Sequence, residues 1–135
     1  MHTIAVRVGF NASHSVRVGA APRETPHEHD WLVEVELAAT LDGHGLVMDF
    51  NRVKGLLDEV LADFRGALLD ELPAFARSKP TAENVATVVF RRLEARLPEG
   101  RARLVRTTVW EAEGCSATYR PDANGVRGRS GGGRP

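Results

Sequence analysis

Apolar residues at Ile4, Val6, Val8, Phe10 and Ala12 alternate with Ala5, Arg7, Gly9, Asn11 and Ser13. A period of two belongs to a β-strand, whose successive side chains point to opposite faces. Trp31, Val33, Val35 and Leu37 alternate with Glu34 and Glu36 and predict a second strand. Between them, residues 15–26 contain Gly19, Pro22 and Pro26 and read as a loop. After the turn Asp42-Gly-His-Gly45 the period changes. Val53, Leu56, Leu57, Val60, Leu61 and Phe64 recur at i, i+3, i+4, i+7, i+8 and i+11, the stripe of an amphipathic helix. Asp49 is placed to cap it, and Gly66 and Pro73 limit its far end. Residues 70–80 read as a polar, proline-containing connection.

Thr81 is a good N-cap for a second helix, and Glu83 suits the positive end of its dipole. Val85, Val89, Leu93 and Leu97 form an i, i+4 stripe that reads as packing, and Pro98-Glu-Gly100 ends the helix. Leu104 to Glu111 is rich in Val and Thr and strand-like. Glu113-Gly114 turns the chain into a short last strand over 116–120.

The order ββααββ predicts an α+β fold, a four-stranded antiparallel sheet with both helices on one face. Adjacent apolar pairs, Leu32-Val33 and Leu104-Val105, predict that the other face is apolar too, and oligomerisation is the simplest cover for it. Residues 1–120 make one domain. Residues 121–135 are rich in Gly and Arg without apolar anchors, so a disordered tail is expected.

Length and charge then narrow the classes. The 135 residues suit one domain, and 18 Lys+Arg balance 18 Asp+Glu. Neutrality gives no general case for nucleic acid or anionic membranes. No apolar run approaches the roughly 20 residues of a membrane span. The start Met-His-Thr-Ile lacks a signal-peptide layout, and the single Cys115 excludes an intrachain disulfide framework, so a cytoplasmic protein is expected.

The candidate chemistry lies in the histidines. Three of five fall in one N-terminal window: His14, His27 and His29. His27 and His29, at i and i+2, share a strand face, and His14 has the parity of the apolar face of its own strand. An H-x-H pair alone more often marks polar residues at a strand rim. A third histidine on the neighbouring strand turns the pair into a divalent-metal site with a coordination position left for water or substrate. Three imidazoles suit several transition metals. His44, in a turn, and His2, at the terminus, read as solvated.

Phe10-Asn-Ala-Ser-His14, His27-Glu-His29, Gly45-Leu-Val-Met-Asp49-Phe50, Pro80-Thr-Ala-Glu-Asn84 and Glu111 occur in an order that resembles the 6-pyruvoyl-tetrahydropterin synthase and 6-carboxytetrahydropterin synthase family. The resemblance implies the T-fold, with three sheets closed into a barrel and two trimers stacked into a homo-oligomer. It implies zinc on His14, His27 and His29. The implied substrate is a small-molecule pterin, usually 7,8-dihydroneopterin triphosphate, whose ring is held by Glu111; Glu113 competes for that role.

Two departures accompany the resemblance. Many members carry a cysteine base four residues before the first histidine of H-x-H, where this chain has Arg23. A branch of the family uses a glutamate three residues before it, and Glu24 stands there; that branch resembles enzymes cleaving the side chain to 6-hydroxymethyl-7,8-dihydropterin. The family also carries a Leu-Asp-His segment between the helices. The nearest local matches are Ala62-Asp63-Phe64 and Phe64-Arg65-Gly66, both without the histidine. The expectations are therefore a zinc-dependent pterin lyase with Glu24 as acid/base, a non-catalytic metal-containing pterin or purine binder, or a structural oligomer with a vestigial site.

Overall fold

The computed structural model describes residues 1–15 and 25–122. Glu24, Arg23 and all of the expected tail beyond residue 122 lie outside the described residues. Strand β1 (His2–His14) is followed by β2 (His27–Ala39), helix α1 (Phe50–Leu61), two short 3-10 turns (Leu69–Glu71 and Pro73–Phe75), helix α2 (Ala82–Arg96), β3 (Arg103–Ala112) and β4 (Cys115–Tyr119). The expected ββααββ order is present. The strands lie in the order β1-β2-β3-β4 and every neighbouring pair is antiparallel. None of the helices among the described residues is long and apolar enough to cross a membrane.

Both helices pack on one face, α1 against β1, α2 against β3 and β4, and each against the other. Their stripes explain it. Val53, Leu57, Val60 and Leu61 of α1 are fully buried, as are Val85, Ala86, Val89 and Leu93 of α2. They meet Val6, Phe10, Trp31, Val33, Val35, Leu37 and Val109 from the sheet. Each such side chain taken from water contributes roughly 1.5–3 kcal/mol. The caps fall where the sequence puts them: the Asp49 carboxylate accepts the Asn51 N–H at 2.8 Å, and Thr81 Oγ1 accepts the Asn84 N–H at 3.1 Å.

Three expectations need correction. Helix α1 ends at Leu61 rather than reaching Phe64, which stays fully buried on the turn that follows. There Gly66 takes φ +73°, a conformation that strains any L side chain, and its N–H reaches the Asn11 carbonyl at 2.7 Å. The connection over 70–80 is not simply polar, since Phe75 plugs the core from a 3-10 turn within it, and Leu69 does so from just ahead of it.

The outer face of the sheet is mixed rather than simply apolar. Val33 and Leu104 belong to the core, while Leu32 turns outward opposite Trp110. A charged ladder runs beside them. Glu34 accepts from Arg7 at 2.7 Å and from Arg106 at 3.2 Å, Arg106 also donates to Glu36 at 2.8 Å, and the Arg7 guanidinium lies over the Trp110 ring. The Arg7 hydrogen bond, helped by the charges of Arg7 and Arg106 and opposed by burial, holds the Glu34 carboxyl below its ordinary range. The adjacency of Leu104 and Val105 marks a bulge. Leu37 faces Leu104 while Glu36 faces Arg106, so Val105 is an extra residue.

Candidate metal and ligand site

The β1–β2 ladder runs unbroken from His2 opposite Ala39 to His14 opposite His27, with Ala12 opposite His29. Strand parity then places all three histidines on the face that the helices cover. The bulge in β3 shifts its parity by one residue, so Glu111 shares that face with Leu104 despite their odd separation. A second shift, between Trp110 and Ala112, falls at Glu111 on the β4 side. Thr81, Ala82 and Glu83 at the start of α2 close the cleft, about 440 Å³, that His14, His27, His29 and Glu111 line.

His14 is only 5% exposed. Its ring packs edge-on against Trp31, with centroids 4.9 Å apart, and Trp31 Nε1–H donates to the Ala12 carbonyl at 3.2 Å. His14 Nδ1 lies 2.8 Å from the Pro80 carbonyl oxygen, and its Nε2 lies 3.2 Å from Glu111 Oε2. A carbonyl only accepts, so Nδ1 carries the proton. In the neutral ring Nε2 is then a lone pair facing an acceptor-only carboxylate. Such a contact is satisfied when a cation joins the two groups, whether a ring proton or a metal ion.

Glu111 Oε2 is also 3.5 Å from His29 Nε2, and one donor atom each from His14, His29 and Glu111 lie within 4.8 Å of one another. A tetrahedral site with bonds of about 2.0–2.1 Å separates its ligand atoms by roughly 3.3 Å. The donor set therefore fits a zinc-like ion in both chemistry and spacing. His27 lines the same cleft but is exposed, its ring centroid 6.4 Å from that of His29. Of the three expected imidazoles, two stand in the compact group; Glu111 stands there with them.

The other candidates fall elsewhere. Glu113 and Cys115 are exposed in the β3–β4 hairpin. His44 is exposed; its N–H and that of Leu46 bond the Asp42 carboxylate, and these bonds, Leu46's foremost, hold Asp42 below its ordinary range. His2 is exposed at the far end of β1.

The Leu-Asp segment between the helices needs correction. Asp63 pairs with Arg92 across the helices at 2.7 Å and lies away from the cleft. The Leu-Asp pair beside the site is Leu69-Asp70, with Glu71 where the resembled pattern has histidine. Asp70 accepts the Ser15 N–H at 2.9 Å and the Ser15 hydroxyl at 3.3 Å, next to His14 in the chain. Ser13 N–H donates to the Ala67 carbonyl, so the end of β1 is clamped on both sides of His14. Buried Leu69 was the available signal, and its lack of a helical or strand period hid it.

Residues 3–122 match the family model described as 6-pyruvoyl tetrahydropterin synthase. An Archaeoglobus fulgidus protein named "Putative 6-carboxy-5,6,7,8-tetrahydropterin synthase" is 34% identical over 90 residues, which cover 67% of this chain and 74% of that protein. The solved 6-pyruvoyl tetrahydropterin synthase of Caenorhabditis elegans superposes with a TM-score of 0.78 at 22% identity, covering 90% of this chain and 96% of that one. A Plasmodium vivax 6-pyruvoyltetrahydropterin synthase, solved as a variant in which a glutamate described as a catalytic residue is changed to alanine, gives a TM-score of 0.70 at 16% identity, covering 88% and 98%.

Proposed function

We propose that this chain, which belongs to the 6-pyruvoyl tetrahydropterin synthase family, is a zinc-dependent lyase acting on the side chain of 7,8-dihydroneopterin triphosphate or a related pterin. The observation that carries the reading is the His14 Nε2 lone pair turned toward Glu111 and His29 in one cleft. In this reading His14, His27 and His29 hold the metal. A zinc ion bound there supplies Lewis acidity, which makes a C–H beside a coordinated substrate oxygen more acidic.

The chain's own groups do the rest. The Pro80 carbonyl fixes the His14 tautomer and ring plane. The Glu111 carboxylate, acceptor-only, takes the paired N–H groups of the amino-pyrimidine edge and so orients the ring. Glu24 removes and returns the proton, three residues ahead of His27. The Plasmodium vivax protein, whose catalytic residue is a glutamate by its own description, supports an acid of this kind. Cleavage of the side chain to 6-hydroxymethyl-7,8-dihydropterin is the outcome that a glutamate base favours. Assembly as a homo-oligomer, a trimer or a dimer of trimers, is supported by the two outer strands, β1 and β4, which have no further strand beside them among the described residues, the edge of β1 being covered only near its end by the turn over 66–68.

One observation favours a second reading. Arg23 and Glu71 occupy the positions of the expected cysteine and histidine, which suits a pterin or purine binder without turnover. One experiment separates the two: zinc-loaded protein and its Glu24→Gln variant are incubated with 7,8-dihydroneopterin triphosphate and the products identified by mass spectrometry. A hydroxymethyl-dihydropterin product lost in the variant is expected. A product that survives the variant removes Glu24 from the mechanism, and bound ring without product moves the chain to the binders.

A further inference from the structure

A second cleft, about 410 Å³, adjoins the metal cleft and has no part in the assignments above. It is lined by Ser15, Asp70, Phe75, Ala76, Arg77, Ser78, Lys79 and Pro80. We propose that this cleft is an anion subsite, in which Arg77 and Lys79 receive the phosphate tail of the substrate.

The two clefts share one wall. Ser15 follows His14 directly, and Pro80 precedes Thr81, a residue of the metal cleft. His14 spans the wall, with Nε2 toward Glu111 and Nδ1 on the Pro80 carbonyl. The order across the site is therefore Glu111, then the imidazoles, then the Pro80 wall, then the cationic cleft. A phosphorylated pterin has the same order of groups: ring, oxygenated side chain, terminal phosphates. This part of the argument rests on the reading under Proposed function.

The chemistry of the lining stands apart from it. Arg77 offers a planar fork of donors that matches phosphate oxygens, Lys79 a point charge, and Ser78 a hydroxyl. Among the described residues lining the cleft the one acid is Asp70, whose two oxygens accept from Ser15. Phe75, Ala76 and Pro80 give the cleft an apolar wall on one side, and a low-polarity wall strengthens a charge-assisted contact made beside it. Arg77, Ser78 and Lys79 are exposed, so changing them leaves the core intact.

The probe is inorganic tripolyphosphate, titrated calorimetrically into the full metal-loaded chain. Binding that weakens about tenfold or more in Arg77→Ala/Lys79→Ala is expected, since each charged hydrogen bond contributes at least that factor. Ser78→Asp, which adds a negative charge without removing a donor fork, should weaken it in the same direction. Tripolyphosphate that does not bind, or binds the double variant as well as the parent, overturns the subsite. A second arm compares 7,8-dihydroneopterin triphosphate with unphosphorylated dihydroneopterin. The affinity advantage of the phosphorylated ligand should fall about tenfold in the double variant. Unchanged advantage, with both pterins bound, removes the subsite and leaves the lyase reading. Tripolyphosphate bound through Arg77 and Lys79 with neither pterin bound keeps an anion site and removes the pterin reading.

Discussion

Glu111 Oε2 lies 3.2 Å from Nε2 of His14, a residue 97 positions away in the chain. The contact joins the two edges of the site, β1 and β3, which are not neighbours in the sheet. In the proposed metal site, a carboxylate in that place either serves as a ligand with His14 and His29 or leaves that position to His27.

Metal titration separates those alternatives. Removing a ligand should weaken Co2+ or Zn2+ binding by roughly a hundredfold or more, beyond the effect of an outer-shell change. His14→Ala and His29→Ala are expected to do so. Comparison of His27→Ala with Glu111→Gln identifies the third ligand, read from the affinity and the Co2+ absorption spectrum. Full affinity in the His29→Ala protein would remove this site.

Asp70 holds the chain just past His14. Asp70→Ala removes an acceptor of two Ser15 donors and should destabilise the fold by about 1–3 kcal/mol. It should also lower metal affinity more than Asp70→Asn, which keeps one carbonyl acceptor. Urea unfolding and metal titration of both variants check this; equal metal affinity in the three proteins would show that Asp70 does not steady His14.

Leu69, fully buried in a 3-10 turn, packs with the core that both helices share. Leu69→Ala should cost about 2–5 kcal/mol, the range for truncating a core leucine. Chemical denaturation gives the value. A loss below 1 kcal/mol, well under that range, would show that Leu69 adds little to the core.

The Glu34 carboxyl is held below its ordinary value by Arg7 and Arg106. A lowered folded-state value means stability present above the unfolded carboxyl range and lost as pH falls through the lower, folded value. The parent should therefore lose more stability between about pH 5 and pH 3 than Glu34→Gln, which has no titrating group there. Near neutral pH the variant should be less stable by about 1–2 kcal/mol, a charged hydrogen bond discounted for the exposure of Arg7. Parallel acid dependence in the two proteins would show that the pairing adds nothing.

Much of this was legible because it is local. Side-chain period is a property of the backbone, so alternation from Ile4 to His14 and from His27 to Leu37 already put three histidines on one face. The α1 and α2 stripes and the caps Asp49 and Thr81 followed from the 3.6-residue turn and the unpaired amides at a helix start. The family was legible from ordered motifs for the same reason.

What the tertiary structure decided depends on distant register. A single extra residue, Val105, reverses the parity of the rest of β3, and its local trace, the apolar pair Leu104-Val105, reads equally as a sheet apolar on both faces. That bulge carries Glu111 to the histidines and turns Arg106 out to Glu34 and Glu36, completing the charged ladder on the outer face. Asp70 reaches Ser15 only because Gly66 turns the chain back along β1. The sequence by itself determined the elements, their order and the imidazole face, since each rests on neighbours in the chain. The meeting of Glu111 with His14, the Asp70 clamp and the cationic cleft beside them were decided by packing between segments far apart in sequence.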